Sequence, residues 1–186
     1  MRRFVSATLR RALDVAWEML PPIQQERLKP FVRVVKQVDT LVGATFKWAD
    51  GGIKTLNEEG AAYFACDGTT HPQRAFLFLS SALATGPEDF AVATILHEYA
   101  HGLNYLDWDY MATEMDDTCI EAYCWFQAGA WAAQRREVFK GALNVVTICL
   151  RFAAQELTVW ASRELLLGES VRSRGLPEES TEDLRD

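Results

Sequence analysis

Several features that mark common classes of protein are missing from this sequence. Lys and Arg total 19 against 26 Asp and Glu, which gives a formal net charge of −7 over 186 residues. Binding to phosphates needs clustered basic side chains, so the acidic balance argues against a nucleic-acid-binding protein. Long apolar runs are also missing: the best one, residues 142–150, stops at Arg151, well short of the roughly 18 residues of a membrane span. We therefore expect a soluble protein without a transmembrane segment.

Paired cysteines and an export signal are lacking as well. The four cysteines are Cys66, Cys119, Cys124 and Cys149. None has the CxxC spacing of a structural zinc knot, and free thiols in a reducing compartment are expected. Arg10 and Arg11 interrupt the N-terminus before an apolar segment of about 7–15 residues can form, as a secretory signal would require. The predicted location is the cytoplasm, with an Arg-rich organellar targeting segment as the alternative.

The length and the composition together predict one domain. Residues 1–167 contain enough apolar side chains for a single core, whereas residues 168–186 are rich in Ser, Arg, Glu and Pro and are predicted to form a disordered polar tail. Apolar residues at helical spacing predict an opening helix over residues 7–20, which Pro21 and Pro22 should end.

The residue composition changes after the opening helix and predicts a small, mostly antiparallel sheet. Short runs rich in Val, Phe and Tyr alternate with Gly-containing turns, a pattern typical of strands and hairpins. The predicted strands are residues 31–35, 44–48, 62–66 and 75–79.

The second half of the chain is predicted to be helical. Thr85 and Glu88 match a capping box, and the apolar-periodic stretch that follows predicts a helix from Thr85 to Asn104. A second helix start at Asp117 opens a strongly helical region that reaches residue 167, with Gly141 as a plausible break.

The first of these helices contains the motif that carries the chemistry, an HExxH sequence at residues 97–101. His97 and His101 are four residues apart, so both imidazoles project from one helix face and can reach one metal ion. Imidazole nitrogen is a preferred ligand of Zn²⁺, and a catalytic zinc site takes three protein ligands and one water. Glu98 emerges beside such a metal, where its carboxylate can act as a general base on that water.

Residues 94–101 resemble the active-site helix of zincin metallopeptidases. In the gluzincin branch the third ligand is a glutamate from a second helix, and this resemblance implies that role for Glu121, 20 residues after His101. Residues 121–131 are also similar to the third-ligand helix of small bacterial neutral zinc metallopeptidases. Gluzincins often place an acid four residues after that glutamate to brace a ligand histidine. Trp125 stands there in this chain, and Asp116 and Asp117 are the nearby alternatives for the brace.

A second interpretation of the motif gives a different third ligand. Residues 97–107 spell HExxHxxNxxD, close to the metzincin pattern, in which the ligand follows the second histidine by six residues. Asp107 would then bind the metal, and Asn104 would replace the glycine at the turn. Met111 and Met115 could form the metzincin methionine turn, although packing explains them as well. Glu121 is preferred over Asp107.

Three further features bear on the active site. His71 is explained at least as well by a surface turn as by a place in the cleft. The strand at residues 75–83 precedes the metal helix, and the family resemblance implies that an edge strand in this neighbourhood pairs with an extended peptide. Stabilisation of an oxyanion needs a further donor. The candidates for it are Tyr105, Tyr110, Tyr123 and Arg151.

Together these features predict an α+β, zincin-like fold with Zn²⁺ between the motif helix and the C-terminal helices. The expected activity is hydrolysis of peptide bonds in a peptide or protein substrate by a metal-activated water, with His97, His101 and Glu121 as ligands and Glu98 as base. The alternative is a zinc-binding domain that serves as a regulatory or structural partner. The oligomeric state is left open.

Overall fold

The computed structural model describes residues 2–47, 51–57, 59–67, 74–107 and 117–174. These residues form six strands and six helices, which confirms the α+β class. In chain order the elements are β1 (Arg2–Phe4), α1 (Ala7–Met19), α2 (Pro22–Phe31), β2 (Val32–Val38), β3 (Thr45–Lys47), β4 (Ile53–Thr55), β5 (Ala62–Asp67), β6 (Arg74–Ser80), α3 (Ala82–Thr85), α4 (Glu88–Asp107), α5 (Asp117–Gln134) and α6 (Ala142–Arg174).

The main sheet has four strands in the order β1-β2-β6-β5. Strand β5 pairs antiparallel with β6, and β3 and β4 form a separate antiparallel hairpin. The pairs β1–β2 and β2–β6 are parallel. Between β1 and β2 the helices α1 and α2 carry the chain back along the sheet, as a parallel pair requires. Antiparallel pairing, which was expected for most of the sheet, therefore holds for β5 and the hairpin, while the other main-sheet pairs are parallel.

The opening helix forms where the sequence predicts it. Ser6 caps α1 by accepting a hydrogen bond from the Leu9 amide at 3.4 Å, and the apolar stripe that includes Leu9, Leu13 and Ala16 is fully buried. Helix α1 ends at Met19, just before Pro21 and Pro22, as predicted. Pro22 also opens α2, a helix that the sequence analysis did not predict. Proline suits a first helical turn, where its missing N–H is not needed.

The strand next to the motif helix is β5, whereas the sequence pointed to residues 75–83. Strand β6 lies inside the sheet between β2 and β5, and Leu77, Phe78 and Leu79 are buried on both of its faces. Apolar side chains on both faces are typical of an interior strand. Strand β5 has no strand on its other side within the described residues, so it is the edge that faces the helices.

Helix α4 runs through the centre of the protein. Val92, Ile95, Leu96 and Tyr99 are fully buried, and they hold the helix against the sheet and α1. The predicted capping box does not form: the Thr85 hydroxyl donates to the Ala82 carbonyl and closes α3 instead. Helix α4 begins three residues later, at Glu88.

The two C-terminal helices pack closely on each other. Helix α5 begins at Asp117 and α6 follows Gly141, both as predicted. A Cβ atom added to Gly129 would lie 3.1 Å from the Cys149 Cβ, so glycine lets α5 and α6 approach at this point. Helix α6 continues to Arg174, seven residues past the start of the predicted tail, and residues 175–186 lie outside the described part of the chain.

Residues Ala142–Leu165 of α6 are long and apolar enough to cross a membrane by length and composition. In its most apolar stretch 22% of the residues are buried in the protein. Core helices of soluble proteins can have the same length and apolar composition.

Candidate metal centre

Helix α4 places His97 and His101 one turn apart on the face that turns towards α5. Their Nε2 atoms are 3.1 Å apart, and their rings are nearly perpendicular, at 87°. Both side chains are buried. The spacing of the motif therefore produces the convergence of two imidazoles that the sequence predicts.

Helix α5 adds Glu121 to this pair. Its Oε2 atom lies 3.1 Å from His97 Nε2, and its Oε1 atom lies 3.1 Å from His101 Nε2. The three side chains form a cluster that could hold a metal ion. Ligands at about 2.0–2.1 Å from a tetrahedral ion are separated from one another by roughly 3.3 Å, which is close to the distances found here.

The alternative third ligand depends on a turn that the structure does not contain. The metzincin interpretation requires a turn at Asn104, but α4 remains helical through Asn104 and ends at Asp107. The Asn104 side chain instead donates from Nδ2 to the Cys124 Sγ atom at 3.1 Å, which ties α4 to α5. The side chain of Asp107 and the candidates His71, Tyr110, Met111, Met115, Asp116 and the Asp117 side chain lie outside the described residues.

Trp125, four residues after Glu121, contacts His97 through its ring. Its ring lies 3.9 Å from the His97 ring, centroid to centroid, at an interplanar angle of 18°, and it stacks in turn on Phe152 at 4.7 Å. The His97 Nδ1 atom is buried and has no hydrogen-bond partner among the described residues. Burial lowers the pKa of His97 to about 4. Trp125 therefore holds His97 by ring stacking and not by a hydrogen bond.

His101 has a polar neighbour on the same helix as Glu121. It is hydrogen-bonded to the Cys124 thiol as well as to Glu121, and its burial, which alone would lower the pKa, is outweighed by these contacts. The pKa of His101 is therefore raised well above its ordinary value. Cys124 lies three residues after Glu121, so one turn of α5 supplies both contacts.

The electrostatics of Glu121 and Glu98 differ. Burial would raise the pKa of Glu121, but its hydrogen bonds to His101 and His97 outweigh that effect and hold the pKa far below the usual range. Glu98 is buried, and burial raises its pKa to about 7, while the charge of His101 and a hydrogen bond from the Phe64 backbone N–H act in the opposite direction. Glu121 is thus a carboxylate at neutral pH, and Glu98 is poised to take or give a proton.

A cavity of about 750 Å³ opens over these residues. One wall is the start and the first half of β5, and the other walls are aromatic side chains from α4, α5 and α6. Tyr105 lines the cavity, whereas Tyr123 and Arg151 are exposed and are not among its described lining residues. The aromatic lining residues are Tyr63, Phe64, Phe90, Tyr105, Trp125 and Phe152.

The backbone of β5 turns polar groups towards this cavity. Ser80 donates its N–H to the Ala61 carbonyl at 2.8 Å. The backbone N–H and C=O groups of Ala61 and of every second residue after it therefore point towards β6. Ala62 and Phe64 then point their backbone groups away from β6, as antiparallel pairing requires. The hydrogen bond from the Phe64 N–H to Glu98 agrees with this pattern. The sequence missed this contact, because strand order cannot be read from periodicity.

Comparisons with protein families, with curated proteins and with solved structures give no match for this chain.

Proposed function

We propose that this chain is a zinc-dependent metallopeptidase with His97, His101 and Glu121 as metal ligands and Glu98 as general base. The observation that carries the proposal is the set of three 3.1 Å separations among the ligand atoms, with the Glu98 carboxylate facing the same cavity. Two imidazoles and one carboxylate are a ligand set found in catalytic zinc sites, where one further position stays open for water.

The residues fit zinc in their chemistry as well as in their spacing. His97, whose pKa is lowered, is neutral near pH 7, and Glu121 is ionised, whereas His101, whose pKa is raised, would release a proton when a metal binds. When bound, zinc lowers the pKa of a coordinated water to about 7 and polarises a carbonyl group. Glu98 would take a proton from the attacking water and pass it to the leaving nitrogen. A pKa of about 7 suits both transfers near neutral pH.

The free edge of β5 is the proposed place for the substrate. An extended peptide could pair with the outward-facing backbone groups of this strand other than the Phe64 N–H, which already donates to Glu98, as in other cases of strand addition. That pairing would lay the peptide along the cavity wall next to Glu98. Tyr105, which lies over Phe64 with ring centroids 6.5 Å apart, is the proposed donor to the oxyanion because it is the sequence candidate that lines the cavity.

The test combines metal content with cleavage of an unstructured protein. We expect one zinc per chain and measurable cleavage, both lost in Glu121→Ala. Glu98→Gln should keep its zinc and lose at least about 100-fold in kcat, because the base is removed and the ligands remain. Glu26→Gln, an exposed change on α2, is the matched control. Full activity of the zinc-loaded Glu98→Gln variant would refute the mechanism.

A second candidate is a zinc-binding domain that regulates or supports a partner without cleaving peptides. The buried His97 Nδ1 atom, which lacks a hydrogen-bond partner in the described structure, favours it, because active zinc sites usually orient each histidine by such a bond. Stoichiometric zinc with no cleavage of any unstructured protein is the result that would select this candidate.

A further inference from the structure

The charges of this chain are distributed very unevenly. Between Thr55 and Gln134 there are twelve acidic residues and one basic residue, Arg74. This segment has a formal charge of −11, more negative than the −7 of the whole chain, so the remaining residues are net positive. The segment includes β5, α4 and α5, which supply the ligands, the general base and most of the cavity walls.

The charged side chains that line the cavity are also mainly negative. Four carboxylates line it, those of Glu59, Glu98, Glu121 and Glu156, and none of the described lining residues is Lys or Arg. In the proposed function Glu121 binds the metal ion and Glu98 transfers the proton. Glu59 and Glu156 have no such role, so their charges are available to a bound molecule.

Glu156 faces the metal centre from α6. It lies one helical turn after Phe152, so both side chains share the helix face that lines the cavity. Burial raises the pKa of Glu156, and the negative charge of Glu121 adds to this effect. The positive charge of Arg163 acts on this pKa in the opposite direction, while the Arg163 Nη1 atom donates to the Thr118 hydroxyl of α5 at 3.0 Å. A substrate cation could add a further positive charge beside Glu156.

Glu59 stands at the other end of the described lining. It precedes β5 by three residues, is exposed, and lies beside the edge proposed for an extended peptide. The two carboxylates thus flank the reacting centre from different walls, one on the strand side and one on α6. A chain paired with β5 would place side chains near both of them.

We propose that the substrate of this site is a cationic peptide or protein segment, in which Lys or Arg side chains near the cleaved bond bind Glu156 and Glu59. The inference rests on the proposed peptidase function. A cleft lined by one sign of charge concentrates oppositely charged substrates and can raise association rates by about 10–10³-fold. The aromatic walls fit the same chemistry, because they can accept the alkyl stems and the charged heads of these side chains.

The test uses two fluorogenic peptides that are identical except for Lys and Arg in one and Gln in the other, with the zinc-loaded full chain. We expect kcat/KM to be at least about tenfold higher for the basic peptide. Raising the salt concentration from about 0.05 to about 0.5 M should reduce this preference, since salt screens exposed charges. Glu156→Gln should lower kcat/KM for the basic peptide about fivefold or more, and so reduce the ratio of kcat/KM between the basic and the neutral peptide.

Glu164→Gln is the matched control, since Glu164 lies on the exposed part of the same helix and is not among the described cavity residues. Equal cleavage of the two peptides would overturn the charge preference while leaving the peptidase function in place. If zinc is bound but neither peptide is cleaved, the peptidase function fails, and equilibrium binding of the two peptides then decides the inference. Equal affinities would overturn it, and tighter binding of the basic peptide would support it.

Discussion

At the scale of single residues, the two histidines of the cluster are held in different ways. Both histidines contact Glu121 at 3.1 Å, but His97 is also stacked on Trp125 at 3.9 Å, whereas His101 is also hydrogen-bonded to Cys124. Stacking fixes the plane of an imidazole but does not select its tautomer. His97 is therefore oriented by its stack on Trp125 as well as by Glu121, and its role should depend on the shape of residue 125.

Substitution of Trp125 tests this dependence. Trp125→Phe keeps an aromatic face against His97, and we expect zinc affinity within about threefold of the parent protein. Trp125→Ala removes the stack and should weaken zinc binding about 10- to 100-fold, the usual cost of losing an orienting neighbour. Competition with a chromophoric chelator measures both variants. Equal affinities for Trp125→Ala and the parent would show that the stack does not orient His97.

The raised pKa of His101 predicts a pH dependence of metal binding. Below that pKa the ring carries a proton, which zinc must displace, so affinity should rise about tenfold per pH unit until the pKa is passed. Near pH 7 we expect about one proton released per zinc bound. Calorimetry in buffers with different ionisation enthalpies measures this number. Cys124→Ala removes a contact that raises the pKa of His101, so the zinc affinity of this variant should level off at a lower pH. Zinc binding by the parent protein without proton release would contradict the prediction.

At the scale of secondary structure, the contact between α4 and β5 controls the site. A Cβ atom on Gly102 would lie 2.6 Å from the Phe64 Cζ atom, so no larger residue fits unless Phe64 moves. The Phe64 ring also packs near Phe31, with centroids 5.8 Å apart. Glycine at position 102 therefore lets the edge strand approach the motif helix.

Gly102→Ala should disturb this approach. The displaced ring costs about 1–3 kcal/mol of stability, which exceeds the gain of about 1 kcal/mol from alanine in a helix. We expect a lower free energy of unfolding and, because the Phe64 N–H contacts Glu98, reduced peptidase activity. Gly86→Ala is the control, since its Cβ atom would meet only the Ala82 carbonyl at 3.5 Å. Denaturant unfolding measures both, and equal stability of the two variants would contradict the prediction.

The elements that the sequence predicts well are those with strong local signals. The helices α1, α4 and α5 have apolar stripes or clear start residues, and the HExxH spacing brings His97 and His101 together by helix geometry alone. Strand β1 is three residues long and is defined by its pairing with β2, so no local pattern marks it. Helix α2 was missed because Pro22 signals both the end of one helix and the start of another. The position of β5 at the edge depends on long-range pairing.

At the scale of the whole molecule, a bound metal ion would join α4 to α5. A ligand that binds only the folded state adds about 2.7 kcal/mol of stability at a concentration of 100 Kd. For a chain of this size that corresponds to a rise of about 5–10 °C in Tm. We expect this rise on adding zinc to metal-free protein, its reversal by a chelator, and no rise for His97→Ala. Thermal unfolding followed by circular dichroism is the measurement, and an unchanged Tm in saturating zinc contradicts the prediction.

Phe64 connects three parts of the molecule. Its backbone belongs to the free edge of β5, its N–H contacts the buried acid of the motif, and its ring fills the space above Gly102. Any chain that docks on this edge and shifts Phe64 also changes how tightly Glu98 holds its proton. By thermodynamic reciprocity, protonation of Glu98 must alter the affinity of the edge for that chain to the same extent. Docking and acidity are thus coupled through a single amide.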